Sequence, residues 1–128
     1  MANQEVSRSL TDYVTSCGSQ PFKWGTNDCV LFVCRWIQIR TGKNILEDLP
    51  MWHNQTSAHR LLRTVGGLEE VAIRRLGTTT TSPETGDVAL VLPPHNCMGI
   101  VSSNGILVIG KSGLFKLGLP MAKLTWKI

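Results

Sequence analysis

The segment FKWGTNDCVLFV at residues 22–33 decides the fold. A turn at Gly25 is followed by two residues with good helix-capping side chains, Thr26 and Asn27, and then by a run too apolar for a surface helix. The pattern predicts that Cys29 lies in the first turn of a helix in the core. Free N–H groups at a helix start stabilise a thiolate, which makes Cys29 a candidate nucleophile. The alternative is a small apolar core residue, the usual role of a buried cysteine.

Composition indicates a single globular domain over residues 1–128. Hydrophobic residues make up 42 % and charged residues 17 % of the chain, which is apolar for a protein of this size. The low charge suggests that a partner covers part of the surface. The net charge is +4, but the 13 Lys and Arg residues are scattered without a dense run, so we expect no nucleic-acid partner.

The cysteine pattern argues against a secreted disulfide scaffold and against a metal site. Four cysteines occur in apolar segments rather than in turns, at Cys17, Cys29, Cys34 and Cys97. Cys29 and Cys34 are five residues apart, a spacing that does not suit zinc or an iron–sulfur cluster. We therefore expect no metal and no other cofactor. The polar segment 1–8 predicts no signal peptide, and no stretch approaches the roughly 20 apolar residues of a membrane span. We expect a protein made in a reducing cytosol.

Hydrophobic spacing predicts helices in the first half of the chain and strands in the second half. Helices are expected around residues 6–17, 28–40, 58–65 and 68–76, with glycines at 18, 42 and 66–67 ending the first three. Strands are expected at residues 87–92, 98–102, 106–109, 114–117 and 124–128, and Asn104-Gly105 predicts a hairpin between the second and third. The predicted class is α+β, with N-terminal helices packed on a C-terminal antiparallel sheet.

Three motifs occur in a fixed order along this layout. They are Trp24-Gly25-x-x-Asp28-Cys29 at a helix start, Gly86-Asp87-Val88 at a strand start, and Met98-Gly99-Ile100-Val101 before a hairpin. With these motifs the chain resembles the NlpC-type papain-like cysteine peptidases, which cleave peptide crosslinks in bacterial cell walls. From Pro21 to Trp126 it is similar to short phage and prophage proteins encoded among tail genes. The resemblance implies one papain-like domain over residues 1–128.

The resemblance also assigns roles to individual residues. Cys29 matches the nucleophile of the peptidases, and Asp28 matches the acidic residue before it. Cys97 stands where the peptidases have their histidine base, directly before a hydrophobic-Gly-Ile step. Ile109 falls near the position of the third polar residue, which orients the imidazole. Both partners of the nucleophile are therefore missing from their expected places.

His95 is the candidate replacement for the base. Two residues along a strand restore the same face, but the displacement is roughly 6.6 Å, far beyond a hydrogen bond. A bulge at Asn96 would shorten that gap. The alternative is an exposed loop histidine, which the preceding Pro93-Pro94 favours. His53 and His59 are expected to be surface or capping residues.

The resemblance, together with these residues, implies two classes of function. The first is a structural adaptor at a phage tail tip, with a degenerate peptidase site, which joins tail hub or tip proteins in the virion after assembly in the host cytoplasm. The second is an active cell-wall endopeptidase that binds peptidoglycan and helps genome delivery, with Cys29 as nucleophile and His95 as base. Trp24, Trp52 and Trp126 are candidate interface anchors, although core packing is the expected role of at least two of them.

Overall fold

The structure is a computed structural model that describes residues 2–17, 20–103 and 105–128. Within these residues, an α+β domain places four α-helices before five β-strands. The helices are α1 (Ala2–Cys17), α2 (Cys29–Thr41), α3 (Gln55–Thr64) and α4 (Leu68–Leu76). The strands are β1 (Val88–Val91), β2 (Met98–Ser102), β3 (Gly105–Gly110), β4 (Gly113–Gly118) and β5 (Ala122–Trp126). The predicted α+β class and the order of its elements are confirmed.

Most helix and strand bounds lie within three residues of the prediction. Helix α3 begins earlier than expected because Asn54 and Ser57 form a capping box, in which each side chain bonds to the other residue's backbone N–H. Ser102 pairs with Gly105, which confirms the predicted hairpin between β2 and β3. Two residues of the prediction, Gly18 and Asn104, lie outside the described residues.

The prediction of the α2 cap was wrong, because Asp28 and not Thr26 or Asn27 is the N-cap. The side-chain amide of Asn27 donates instead to the backbone carbonyls of Gln20 and Pro21, at 3.0 and 2.9 Å. Three consecutive residues of the sequence are good caps, and tertiary contacts select among them. The helix ends at Gly42 with a φ of 76°, as the sequence predicts.

The five strands form an antiparallel sheet in the order β4-β3-β2-β1-β5. Helix α2 packs on one face of the sheet, against β2 and β3. Side chains alternate between the two faces, so the sheet has a core on each side. The helix-side core includes Phe32, Val33 and Trp36 of α2 and the strand residues Val88, Leu90, Met98, Ile100 and Ile109. The far-side core consists of Ala89, Val91, Val101, Ile106 and Val108, with Cys97, Leu117, Leu119 and Met121 among the residues packed on it.

Tryptophan indoles join the helices to the sheet. Trp36 is fully buried, and its indole N–H donates to the carbonyl of Gly86 at 2.7 Å. A Cβ atom on Gly86 would lie 2.5 Å from a methyl carbon of Val6, so the motif glycine is needed for close packing. Trp126 is also fully buried and donates to the carbonyl of Gly77, so it packs in the core, as expected for at least two of the three candidate anchors.

No helix among the described residues has the length and apolar character needed to cross a membrane.

Candidate functional site

Cys29 is the first residue of α2, as the sequence predicts. The helix start meets the beginning of β2, where the backbone N–H of Met98 interacts with the Cys29 sulfur. Cys97, the residue before β2, is close enough to influence the same sulfur electrostatically. Cys29 keeps part of its surface exposed to solvent. The site therefore lies at the junction between the helix and the sheet, on the side that α2 covers.

Both thiols of this junction are neutral at physiological pH. Burial is the main cause that raises the pKa of Cys29 to about 12; the neighbouring Cys97 and Asp28 act in the same direction, and the Met98 N–H acts against them. Burial also raises the pKa of Cys97 to about 11. A helix start normally lowers a cysteine pKa. Here desolvation is the larger effect, and the carboxylate of Asp28 already occupies the N-terminal end of the helix.

Asp28 is buried with 2 % of its surface exposed, and its carboxylate accepts three hydrogen bonds. Oδ1 accepts from the Leu31 N–H at 2.9 Å, which caps α2. Oδ2 accepts from the Gly25 N–H at 2.9 Å and from the indole N–H of Trp52 at 2.6 Å. These donors use the oxygens in a structural role. Asp28 is therefore a positioning residue that fixes the helix start, the preceding turn and the Trp52 indole together.

The two other positions that the family resemblance implies hold no imidazole and no orienting polar group. Cys97 directly precedes β2, and its side chain packs on the far-side core. Ile109 lies on β3 and is 6 % exposed within the helix-side core. The Cys29 sulfur thus has a thiol and a backbone N–H as neighbours from the sheet.

The structure places His95 away from the helix side of the sheet. Its side chain is exposed in the turn between β1 and β2, and its ring centroid lies 6.3 Å from that of Phe115 on β4. Phe115 alternates with Leu114, which packs on the helix-side core, so Phe115 belongs to the opposite face. His53 is exposed just before the α3 cap, and its backbone N–H donates to Ser57.

A partly enclosed cavity of about 150 Å³ lies beside Cys29. It is bordered by α2, α3, α4 and the connection at residues 42–54, and its apolar walls include Val30, Leu46, Trp52, Leu61, Leu68 and Val71. Its polar lining residues are Asp28, Cys29, His59 and Asn96. The described residues that form its walls include no Lys or Arg. The cavity therefore has an apolar interior with a thiol at one side.

His59 is the cavity residue whose importance the sequence reasoning missed. It lies on α3, and its ring meets Trp24 edge-on at a centroid distance of 5.7 Å. The sequence contains a signal for this position, because His59 precedes Leu62 by three residues and so shares the helix face that lines the cavity. No group of three or more His, Cys, Asp or Glu residues suited to a metal ion occurs in the part of the chain that the structure describes.

The fold and the site define an α+β protein in which a partly buried cysteine begins the helix that packs on an antiparallel sheet. The chain belongs to the DUF6950 family, a domain of unknown function whose model matches residues 1–128. No curated protein and no solved structure matches the chain.

Removing the Asp28 carboxylate should destabilise the protein strongly. Asp28→Ala leaves three donors without their acceptor and removes the α2 cap, so we expect the free energy of unfolding to fall by about 2–4 kcal/mol. Asp28→Asn should cause an intermediate loss of stability, because the NH₂ of the new amide replaces one accepting oxygen and faces an N–H donor. Urea denaturation followed by tryptophan fluorescence measures both. The control is Asp48→Asn at an exposed ion pair with Arg75, and a larger loss there than in Asp28→Ala would contradict the assignment.

The rate at which Cys29 is alkylated should depend on pH as expected for a thiol that is protonated at neutral pH. With a pKa of about 12, the alkylation rate by iodoacetamide should rise about tenfold per pH unit from pH 7 to pH 10 without reaching a plateau. Peptide mapping by mass spectrometry isolates the Cys29 signal, and glutathione provides the unperturbed control. A plateau below pH 8 would show an activated thiolate instead.

The same thiols make stability depend on pH. Burial raises the folded-state pKa values of Cys29 and Cys34 to about 12 and that of Cys97 to about 11, above the ordinary value of 9.0. The neutral thiols therefore contribute stability that is fully present below about pH 9 and is lost as the pH rises toward these folded-state values.

Proposed function

We propose that this protein is a phage tail-tip component with a papain-like fold, which acts as a structural adaptor and carries a degenerate peptidase site. The observation that carries the proposal is the pair at the helix–sheet junction. Cys29, which the resemblance aligns with the peptidase nucleophile, begins α2, and Cys97, which it aligns with the histidine base, lies close enough to influence the Cys29 sulfur. If the alignment with the papain-like peptidases holds, the site keeps their cysteine and replaces their histidine with a thiol, which cannot act as an imidazole does.

The electrostatics of the junction support an inactive site. At a pKa of about 12, the fraction of Cys29 present as thiolate at pH 7 is on the order of 10⁻⁵. General-base catalysis contributes roughly 10²- to 10⁴-fold and requires the base within about 3.2 Å of the proton, directly or through one water. His95 packs beside Phe115 on the other side of the sheet. The helix start therefore does not activate the Cys29 thiol, and no described histidine on the sheet side is placed to act as its base.

The adaptor role and its location rest on the resemblance to tail-gene proteins and on composition. A charged content of 17 % is low for a protein that is solvated on all sides. Trp52 and Trp126 are buried, which leaves Trp24 as the partly exposed member of the candidate anchors. The partners that fit this role are tail hub or tip proteins, met during assembly in the host cytoplasm and retained in the virion.

The second candidate is an active cell-wall cysteine endopeptidase, and one observation favours it. His59 lines the same cavity as Cys29, so an imidazole on a helix borders the site, whereas the papain-like peptidases carry theirs on a strand. In that mechanism the imidazole takes the thiol proton and the sulfur attacks the peptide carbonyl carbon. The C–N bond then breaks as the amine takes the proton, and water hydrolyses the thioester. The lack of Lys or Arg in the described lining argues against acidic wall peptides as ligands.

Purified virions should contain the protein if it is a tail component. Particles purified on a density gradient and digested for mass spectrometry should yield its peptides at a constant ratio to a tail hub protein across the gradient. An abundant host cytosolic protein of similar size serves as the contamination control. Absence from the particles, or a ratio that varies as the contaminant's does, would overturn the adaptor role.

Purified muropeptides should remain intact with the wild-type protein. Products are read by mass after incubation with wild type, Cys29→Ala, His59→Ala, His95→Ala and Cys97→His. We expect no cleavage by the wild type. Any gain of activity should occur in Cys97→His, because it is the one variant that adds an imidazole. Cleavage by the wild type that disappears in Cys29→Ala would establish the endopeptidase, and the histidine variant that also loses activity would identify its base.

A further inference from the structure

We infer that the cavity beside Cys29 is a binding site for a compact, uncharged apolar ligand of about the size of benzene. Ligand binding there requires neither a peptidase ancestry nor a place in a phage tail. It follows from the volume of the cavity, from the chemistry of its walls and from the hydrogen bonds already made by its polar groups.

The size of the cavity sets the size of the ligand. Its volume of about 150 Å³ is the volume of an engineered apolar cavity that accepts benzene or xenon. Side chains from three helices form its walls, including Val30 of α2, Leu61 of α3 and Val71 of α4. A single aromatic ring or a branched aliphatic group of similar bulk would fill such a space. A longer chain or a peptide backbone would not fit within it.

The interior offers little to hold water or charge. A buried water needs two to four polar partners. The Asp28 oxygens are occupied by three donors, and a thiol such as Cys29 is a weak hydrogen-bonding group. The described lining contains no Lys or Arg to balance an anion. Transfer of a neutral apolar group from water into this space is therefore favourable. An anion finds no cationic partner there, and a cation meets the Asp28 carboxylate only where three donors already occupy its oxygens.

The polar residues of the lining indicate how the site is oriented. His59 and Asn96 are exposed to solvent, whereas Trp52 is 6 % exposed. The solvent-facing part of the lining is thus formed by His59, whose ring packs against Trp24, and by Asn96, and the Trp52 indole forms an inner wall. A bound ring would cover the approach to the Cys29 sulfur from the cavity.

The first test measures binding of toluene to the wild-type protein. At ten times the dissociation constant, toluene should raise Tm by about 5 °C for a domain of this size. Benzoate and benzylamine, which have the same ring and opposite charges, should give no comparable shift. No change in Tm at saturating toluene would overturn the proposal, and so would equal shifts with the two charged analogues.

Two further measurements locate the bound ligand. Ala58→Leu adds bulk to the cavity wall and should weaken toluene binding at least tenfold, while Ala72→Leu, an equally buried site on α4 outside this lining, should bind as the wild type does. On the wild-type protein, which needs no variant to fold, saturating toluene should slow alkylation of Cys29 severalfold and leave Cys17 unaffected. Unchanged Cys29 labelling, or equal binding by Ala58→Leu, would place the ligand elsewhere and refute the site.

Discussion

The buried carboxylate of Asp28 connects the start of α2 with the turn before it and with the segment between α2 and α3. Asp28 accepts hydrogen bonds from the first turn of α2, from the Gly25 turn and from the Trp52 indole, which belongs to a connection 24 residues further along the chain. Each of these donors would be costly to bury without an acceptor, so the three segments must meet at one point. Gly25 completes the arrangement, because a Cβ atom at that position would collide with the backbone carbonyl of Trp52. The position of Cys29 and the inner wall of the cavity both follow from this contact.

Two opposed effects act on the pKa of Cys29 at the start of α2. Free N–H groups and the helix dipole favour a thiolate, and they act over the first turn only. In this protein the Asp28 carboxylate occupies that turn, and the surrounding apolar side chains remove solvent from the sulfur. The result is a thiol whose pKa is raised to about 12. A cysteine at the first position of a helix is therefore not activated by that position alone.

The predictable part of the fold is the part that local spacing encodes. Helix α4 and strand β2 have the predicted bounds because apolar periodicity and flanking glycines define them without help from distant residues. The choice of Asp28 as cap could not be predicted, since Thr26, Asn27 and Asp28 are all suitable caps and the contact of Asp28 with Trp52 joins residues that are far apart in the sequence. The cavity could not be predicted from the sequence either. His59 faces it because α3 folds back toward α2, and nothing in the spacing of α3 states which helix its apolar face will meet.

The last strand determines when the domain can be completed during synthesis. Strand β5 pairs with β1 at the edge of the sheet, and Thr125 and Trp126 also bond to Thr80 and Gly77 in the segment that leads from the helices to the sheet. While residues 122–126 are still inside the ribosome, β1 has one unpaired edge and the site of the Trp126 indole is unfilled. Nascent chains with the other four strands complete are thus exposed to strand exchange with one another. The time during which this edge stays open is the interval between the emergence of β1 and the emergence of β5 from the exit tunnel.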